Sequence, residues 1–202
     1  MIRPTLNHIN LKTTRLKEMI DWYAVVIGGK IIFQSAGGAS ATDNPIQIAF
    51  MSNDRAPFRI AFMAVRGLRE DPEQFEHAGL HHIAFEYDSF DDLMSSFARL
   101  KQLGIEPIVC VNHGLTTSLY YSDPDQNAVE LQTDTFGNWE ASTEWMSKSE
   151  AFRQNPIGAF FDPDPVLATY QAGATFEQLH KDTWAGKYPP SKPLNLHLPP
   201  LD

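Results

Sequence analysis

The chain has 202 residues, a formal charge of −9, 43% hydrophobic residues and one cysteine, Cys110. That length suits one domain or two small modules sharing a core. The acidic balance argues against general nucleic-acid binding, and a lone cysteine excludes internal disulfides and cysteine-based zinc sites. No apolar run approaches the ~18 residues of a membrane span, and Met1-Ile2-Arg3-Pro4 lacks a signal-peptide core, so a cytoplasmic protein without a membrane partner is expected.

Leu6–Leu11 alternates as a strand does, with Ile9 and Leu11 on one face and His8 and Asn10 on the other. Thr13 or Thr14 is placed to cap a helix whose apolar stripe is Leu16, Met19, Ile20 and Tyr23, and Gly28-Gly29 stops it. Strands are predicted over Ile31–Gln34, Ile46–Met51 and Arg59–Val65. The order then repeats. His82–Tyr87 alternates, Ser89 is placed to cap with Asp92 at the capping-box position, and Leu93, Phe97 and Leu100 form the stripe up to Gly104. Strands are predicted over Pro107–Val111, Leu115–Ser122 and Ala128–Gln132, the last two joined by the turn Asp123-Pro124-Asp125-Gln126-Asn127. Gln126 stands where glycine would be easier, which predicts a left-handed residue there. Beyond Thr133 a helix is expected over Thr143–Phe152 and another over Phe176–Lys181. Pro156, Pro163 and Pro165 are expected to break what lies between, and a proline-rich tail runs from Tyr188 to Pro200.

The expected fold is therefore α+β: two βαβββ modules, about 4–66 and 79–132, forming a curved sheet around a metal cleft. Residues 133–202 are expected to form a helical and proline-rich extension packed on that body or on a partner subunit. Within it the tail after residue 163, roughly 40 residues, is too small for a core of its own.

Leu6-Asn7-His8-Ile9-Asn10-Leu11 and Leu80-His81-His82-Ile83-Ala84-Phe85 align at an offset of 74 positions, which also matches Met19 with Leu93, Tyr23 with Phe97 and Val26 with Leu100. His8 and His82 thus hold equivalent places, and Glu130 ends the second copy. Each sits opposite the apolar face of its strand. A lone strand histidine is more often a packing residue than a ligand, but two at equivalent positions plus a terminal glutamate reverse that balance. Two imidazoles and a carboxylate suit Fe(II), with Mn(II) as the second candidate, and leave positions open for substrate and oxygen. His81, the rival of His82, faces the helix side by parity. In the first copy Ala61 stands opposite Glu130, so a four-ligand site would be incomplete.

Asn112-His113-Gly114, Thr116-Thr117-Ser118-Leu119-Tyr120-Tyr121, Asp123-Pro124-Asp125, Asn127 and Glu130-Leu131 carry a resemblance. Over about residues 4–162 the chain resembles the one-domain type I extradiol ring-cleavage dioxygenases of the vicinal oxygen chelate superfamily, and is similar to the short 2,3-dihydroxybiphenyl 1,2-dioxygenases. The resemblance implies that His8, His82 and Glu130 bind Fe(II). It further implies that Tyr120, ten residues before Glu130, hydrogen-bonds the bound phenolate and that His113 lines the substrate pocket. The family pattern also places a histidine before the last strand of the first module. Here Asp54-Arg55-Ala56-Pro57-Phe58-Arg59 has none, which leaves His77 or His113 as substitutes, or a different substrate.

The leading expectation is extradiol cleavage of a catechol-like diol with O2 by a homo-oligomer. Two others stand beside it: a glyoxalase-type metal-dependent isomerase or lyase, against which Ala61 counts, and a metal-free ligand-sequestering protein of the bleomycin-resistance type, against which the three retained ligand candidates count.

Overall fold

The structure, a computed structural model, describes residues 2–35 and 44–199. It divides into two compact units, Met1–Gln74 with Asp123–Asn127, and Phe75–Ser122 with Ala128–Asp202. Among the described residues no helix is long and apolar enough to cross a membrane.

The first unit runs β1 (Ile9–Lys12), α1 (Leu16–Val26), β2 (Lys30–Gln34), β3 (Ile46–Ser52) and β4 (Ile60–Val65). Its sheet has the order β1-β4-β3-β2, with β1 parallel to β4 and the other pairs antiparallel. The first strand opens later than its alternation suggests, so His8 immediately precedes it; the Ile9 N–H bonds the Arg59 carbonyl at 3.0 Å. The α1 stripe of Leu16, Met19, Ile20, Tyr23 and Val26 is buried. Neither Thr13 nor Thr14 caps this helix. Arg15 holds the N-cap position, and Thr13 Oγ1 accepts from its N–H at 2.9 Å, a local turn that competes with capping.

The turn after Ser122 docks on this unit through one carboxylate. Asp123 accepts from the N–H groups of Asp125 and Asn127 and from Asn127 Nδ2, each at 2.9 Å, and from the Tyr23 hydroxyl at 3.1 Å. Burial, with the facing Asp123 charge, pushes the Tyr23 phenol far up, so it serves as a donor. Gln126 closes the turn at φ 64°, in the left-handed region expected for it.

The second unit runs β5 (His82–Tyr87), α2 (Phe90–Gln102), β6 (Val109–Asn112), β7 (Thr116–Ser122) and β8 (Ala128–Asp134). It continues through α3 (Trp139–Lys148), α4 (Glu150–Gln154), β9 (Ala159–Phe160), α5 (Pro163–Gln171) and α6 (Phe176–Trp184). Its sheet order is β5-β8-β7-β6-β9. The repeat is thus present in topology and in register: Asn10 pairs with Ala61 on parallel strands in the first unit, as Ala84 pairs with Glu130 in the second. Ser89 caps α2, accepting from the Asp92 N–H at 3.1 Å, and Leu93, Phe97 and Leu100 are buried.

Two expectations for the last third need correction, and one element there was not expected. The single helix over Thr143–Phe152 is two, because Ser149 ends α3 in extended backbone and its side chain caps α4 by accepting from the Phe152 N–H. Pro163 and Pro165 open α5 instead of breaking the chain. Asp162 caps that helix, and first-turn N–H groups have no intrahelical partner for proline to remove. Ala159–Phe160 adds a two-residue edge strand to β6, with Val111 opposite Phe160, which is too short for a sequence period to reveal.

Replacing Asp123 by alanine strands the Tyr23 hydroxyl and two backbone donors at once. Chemical denaturation should show a loss of about 2–4 kcal/mol for Asp123→Ala, against about 1 kcal/mol for Tyr23→Phe. Equal losses would mean that the turn is not held by the carboxylate.

Candidate active site

β8 lies between β5 and β7, and the registers place Ala84 on one side of Glu130 and Tyr120 on the other. His82, two residues before Ala84, shares their face. Leu119, Tyr121, Val129 and Leu131 take the opposite face and are buried. The alternation of each strand therefore gathers the polar groups on one side of the sheet.

Glu130 is only 4% exposed. Its Oε2 lies 3.1 Å from His82 Nε2, and its Oε1 lies 4.0 Å from His113 Nε2. Burial alone would raise the carboxyl, but hydrogen bonds from His82, Ser118 and Tyr120 outweigh it and hold Glu130 below the usual carboxylate range. Tyr120 meets His82 edge-on at 5.4 Å between ring centroids. Burial first, then the Glu130 charge, push its phenol far up, so it stays protonated. The hydroxyl donates to His113 Nε2 at 3.0 Å and also faces Glu130. One proton thus stands between two acceptors.

His113 is fixed from its other nitrogen. Nδ1–H donates to the Ile157 carbonyl at 2.6 Å, which leaves Nε2 as the acceptor. Burial lowers the imidazole's basicity, the Glu130 charge opposing, and so favours the neutral ring. The preceding Asn112 is an anchor: it is fully buried, its Nδ2 donates to the His180 carbonyl and Thr183 Oγ1 at 2.8 Å each, and its Oδ1 accepts from the Gly114 N–H at 2.8 Å. The Ile157 carbonyl is presented by a turn in which Asn155 brackets Gly158 with two hydrogen bonds.

His8 stands in the first unit. Its ring packs on Phe58, 4.4 Å between centroids, and Phe58 stacks on Phe50 at 4.6 Å. The Asp54–Arg59 stretch, where the family pattern has a histidine, thus presents an aromatic face to His8. His77 is exposed on the loop before β5. His81 departs from its expected place on the helix side. It lies outside the strand, bonded to His82 and to the Leu196 carbonyl.

Among the described residues no group of three or more His, Cys, Asp or Glu is already assembled for a metal. His82 and Glu130 are brought together, with Tyr120 and His113 beside them. The donors fit a divalent cation: an imidazole nitrogen and a carboxylate oxygen 3.1 Å apart match two adjacent ligands, each bound at about 2.0–2.2 Å. The sequence reading missed Ser118, whose signal was its place two residues before Tyr120 on the same face. It also missed the Ile157 carbonyl, a backbone group that leaves no side-chain signal.

Both units have the order βαβββ, and the second brings His82, at the start of β5, against Glu130, within β8. The chain belongs to the Glyoxalase/Bleomycin resistance protein/Dioxygenase superfamily, whose profile matches residues 5–131. Biphenyl-2,3-diol 1,2-dioxygenase 2 of Rhodococcus globerulus is 34% identical over 190 residues, covering 94% of each chain. Biphenyl-2,3-diol 1,2-dioxygenase 3 of the same organism is 36% identical over 186 residues, covering 92% of each. In fold, the chain is similar to a glyoxylase/bleomycin resistance protein/dioxygenase domain from a Frankia species, with TM-score 0.56 and 20% identity over 66% of this chain and 99% of that one. A fosfomycin resistance protein from Mesorhizobium loti gives TM-score 0.51 and 20% identity over 73% of this chain and 100% of that one.

A Cβ on Gly158 would lie 2.0 Å from the Asn112 carbonyl oxygen, and its φ of +96° disfavours any other residue. Gly158→Ala should cost about 2 kcal/mol or more in stability and shift the His113 imidazole signals in NMR spectra. Unmoved His113 signals would show that the turn does not hold the ring.

Proposed function

We propose that this protein is an extradiol dioxygenase, cleaving the ring of a small aromatic diol beside its two hydroxyls and placing both atoms of O2 in the product. The observation that carries the reading is the His82–Glu130 pair with Tyr120 on one sheet face and His113 beside them. The named activity of two relatives, similar over nearly the whole chain, supports it.

Dioxygen chemistry of this kind needs a catalytic metal, and we assign Fe(II), with Mn(II) as the second candidate. His82 and Glu130 would hold it, and the repeat assigns the third place to His8. When bound, the ion supplies two-point binding of the diol and a site for oxygen. The chain's own residues do the rest. Tyr120, kept protonated, donates a hydrogen bond to the diol oxygen on which charge develops. His113, neutral and with Nε2 free of a proton, accepts the proton the diol gives up. That is the acid–base place for which the Asp54–Arg59 stretch offers no histidine. Ala61, at the register position of Glu130, supplies no fourth ligand, which counts against a glyoxalase-type site.

The test is oxygen uptake by protein loaded anaerobically with Fe(II), using 2,3-dihydroxybiphenyl and a panel of substituted catechols. One O2 should be consumed per diol, with a yellow ring-opened product. Iron-replete protein that consumes no oxygen with any diol would refute the assignment. Tyr120→Phe should lower turnover about 10²-fold, a usual loss for one such donor, while retaining bound metal. Unchanged turnover would reduce Tyr120 to packing.

A further inference from the structure

The residue before each ligand histidine touches that histidine's Nδ1. In the first unit Asn7 Oδ1 lies 2.9 Å from His8 Nδ1. In the second, His81 Nδ1 lies 2.8 Å from His82 Nδ1. Asn7 and His81 hold the same place in the repeat, so the contact occurs twice, in two chemically different forms.

Each form dictates where the proton sits. An amide oxygen only accepts, so the His8 Nδ1 must be the donor. For the second pair the direction comes from the far side of His81. Its Nε2 lies 2.9 Å from the Leu196 carbonyl, which also only accepts, so Nε2 of His81 carries a proton. In the neutral ring that leaves His81 Nδ1 with a lone pair, and the His82 Nδ1–H donates to it. Both histidines then carry a proton on Nδ1, so Nε2, which in His82 is the atom that hydrogen-bonds Glu130, is the nitrogen left to ligate when a cation replaces that contact.

We propose that Asn7 and His81 are positioning residues for metal binding. Each accepts from the Nδ1–H of the histidine that follows it, fixing the Nε2-ligating tautomer and the ring orientation, and the Leu196 carbonyl fixes His81 in turn. This rests on the reading of His8 and His82 as ligands. Outer-shell acceptors of this kind commonly change metal affinity 10–100-fold. Shape does not explain the pairing, because an amide and an imidazole differ in shape, and what each turns toward the next histidine is an acceptor.

The experiment measures Co(II) dissociation constants of anaerobically prepared metal-free protein, with circular dichroism to confirm folding. His81→Ala should weaken binding about 10–100-fold. His81→Gln should restore it to within a few-fold, since a glutamine oxygen can accept from His82 while its amide donates to Leu196. Asn7→Ala should weaken binding and Asn7→Asp should retain it. In Zn(II)-loaded protein, nitrogen-15 NMR should show the His82 proton on Nδ1 in the wild type and in His81→Gln. Wild-type affinity in both alanine variants, or a His82 proton on Nε2, would overturn the proposal. His82→Ala separates the two levels: full Co(II) affinity in that variant would overturn the ligand reading itself, while its loss alongside unchanged alanine variants would overturn only the positioning role.

Discussion

A carboxylate enclosed in the middle of a sheet must be met by donors, because an unpaired buried charge costs several kcal/mol. Glu130 imposes that demand on the second unit. It sits on β8, between β5 and β7, so its neighbours in register are fixed by the ladder on both sides. Ser118, Tyr120 and His82 meet it from those two strands. Donors that keep the carboxylate ionised also leave it ready to trade the His82 contact for a cation. The site follows from one burial decision.

The first unit shows what the same scaffold does without that charge. Ala61 takes the register place of Glu130, and Phe50, paired with Ala61, takes that of Tyr120. The face then becomes apolar: Phe50 stacks on Phe58, and Phe58 packs on His8. An aromatic wall there backs an imidazole that Asn7 also hydrogen-bonds, whereas in the second unit polar groups face His82. The two copies have therefore diverged in how they hold a histidine while keeping the strand order that places it.

Much of this was legible in the sequence because it is periodic. Alternation set His82 and Glu130 opposite the apolar faces of their strands, the family resemblance singled out Tyr120, and the helical stripes at Met19–Tyr23 and Leu93–Leu100 fixed what the other faces pack against. Gln126 betrayed its left-handed turn by standing where glycine belongs. What escaped lacks a period or a side chain. β9 has two residues. The prolines of α5 read as breakers because the same residue opens a helix or ends one, and only the Asp162 cap decides which. His81 fell outside the parity argument because its chain had not yet entered the strand, so alternation did not govern its side chain.

The segment after β8 shows why some functional groups never surface as motifs. Two of its backbone carbonyls, Ile157 and Leu196, each accept a hydrogen bond from an imidazole of the site region, His113 directly and His81 at one remove from His82. A carbonyl can only accept, so it sets a tautomer without the ambiguity a hydroxyl or a second imidazole would bring. Nearly any residue can supply one. The constraint therefore passes from side-chain identity to backbone path, and it surfaces in sequence only where that path is tight. Gly158 marks such a place, pressed against the Asn112 carbonyl where no Cβ fits. The extension acts on the site through the course of its chain, which explains how a proline-rich, weakly patterned stretch can govern the chemistry of a patterned one.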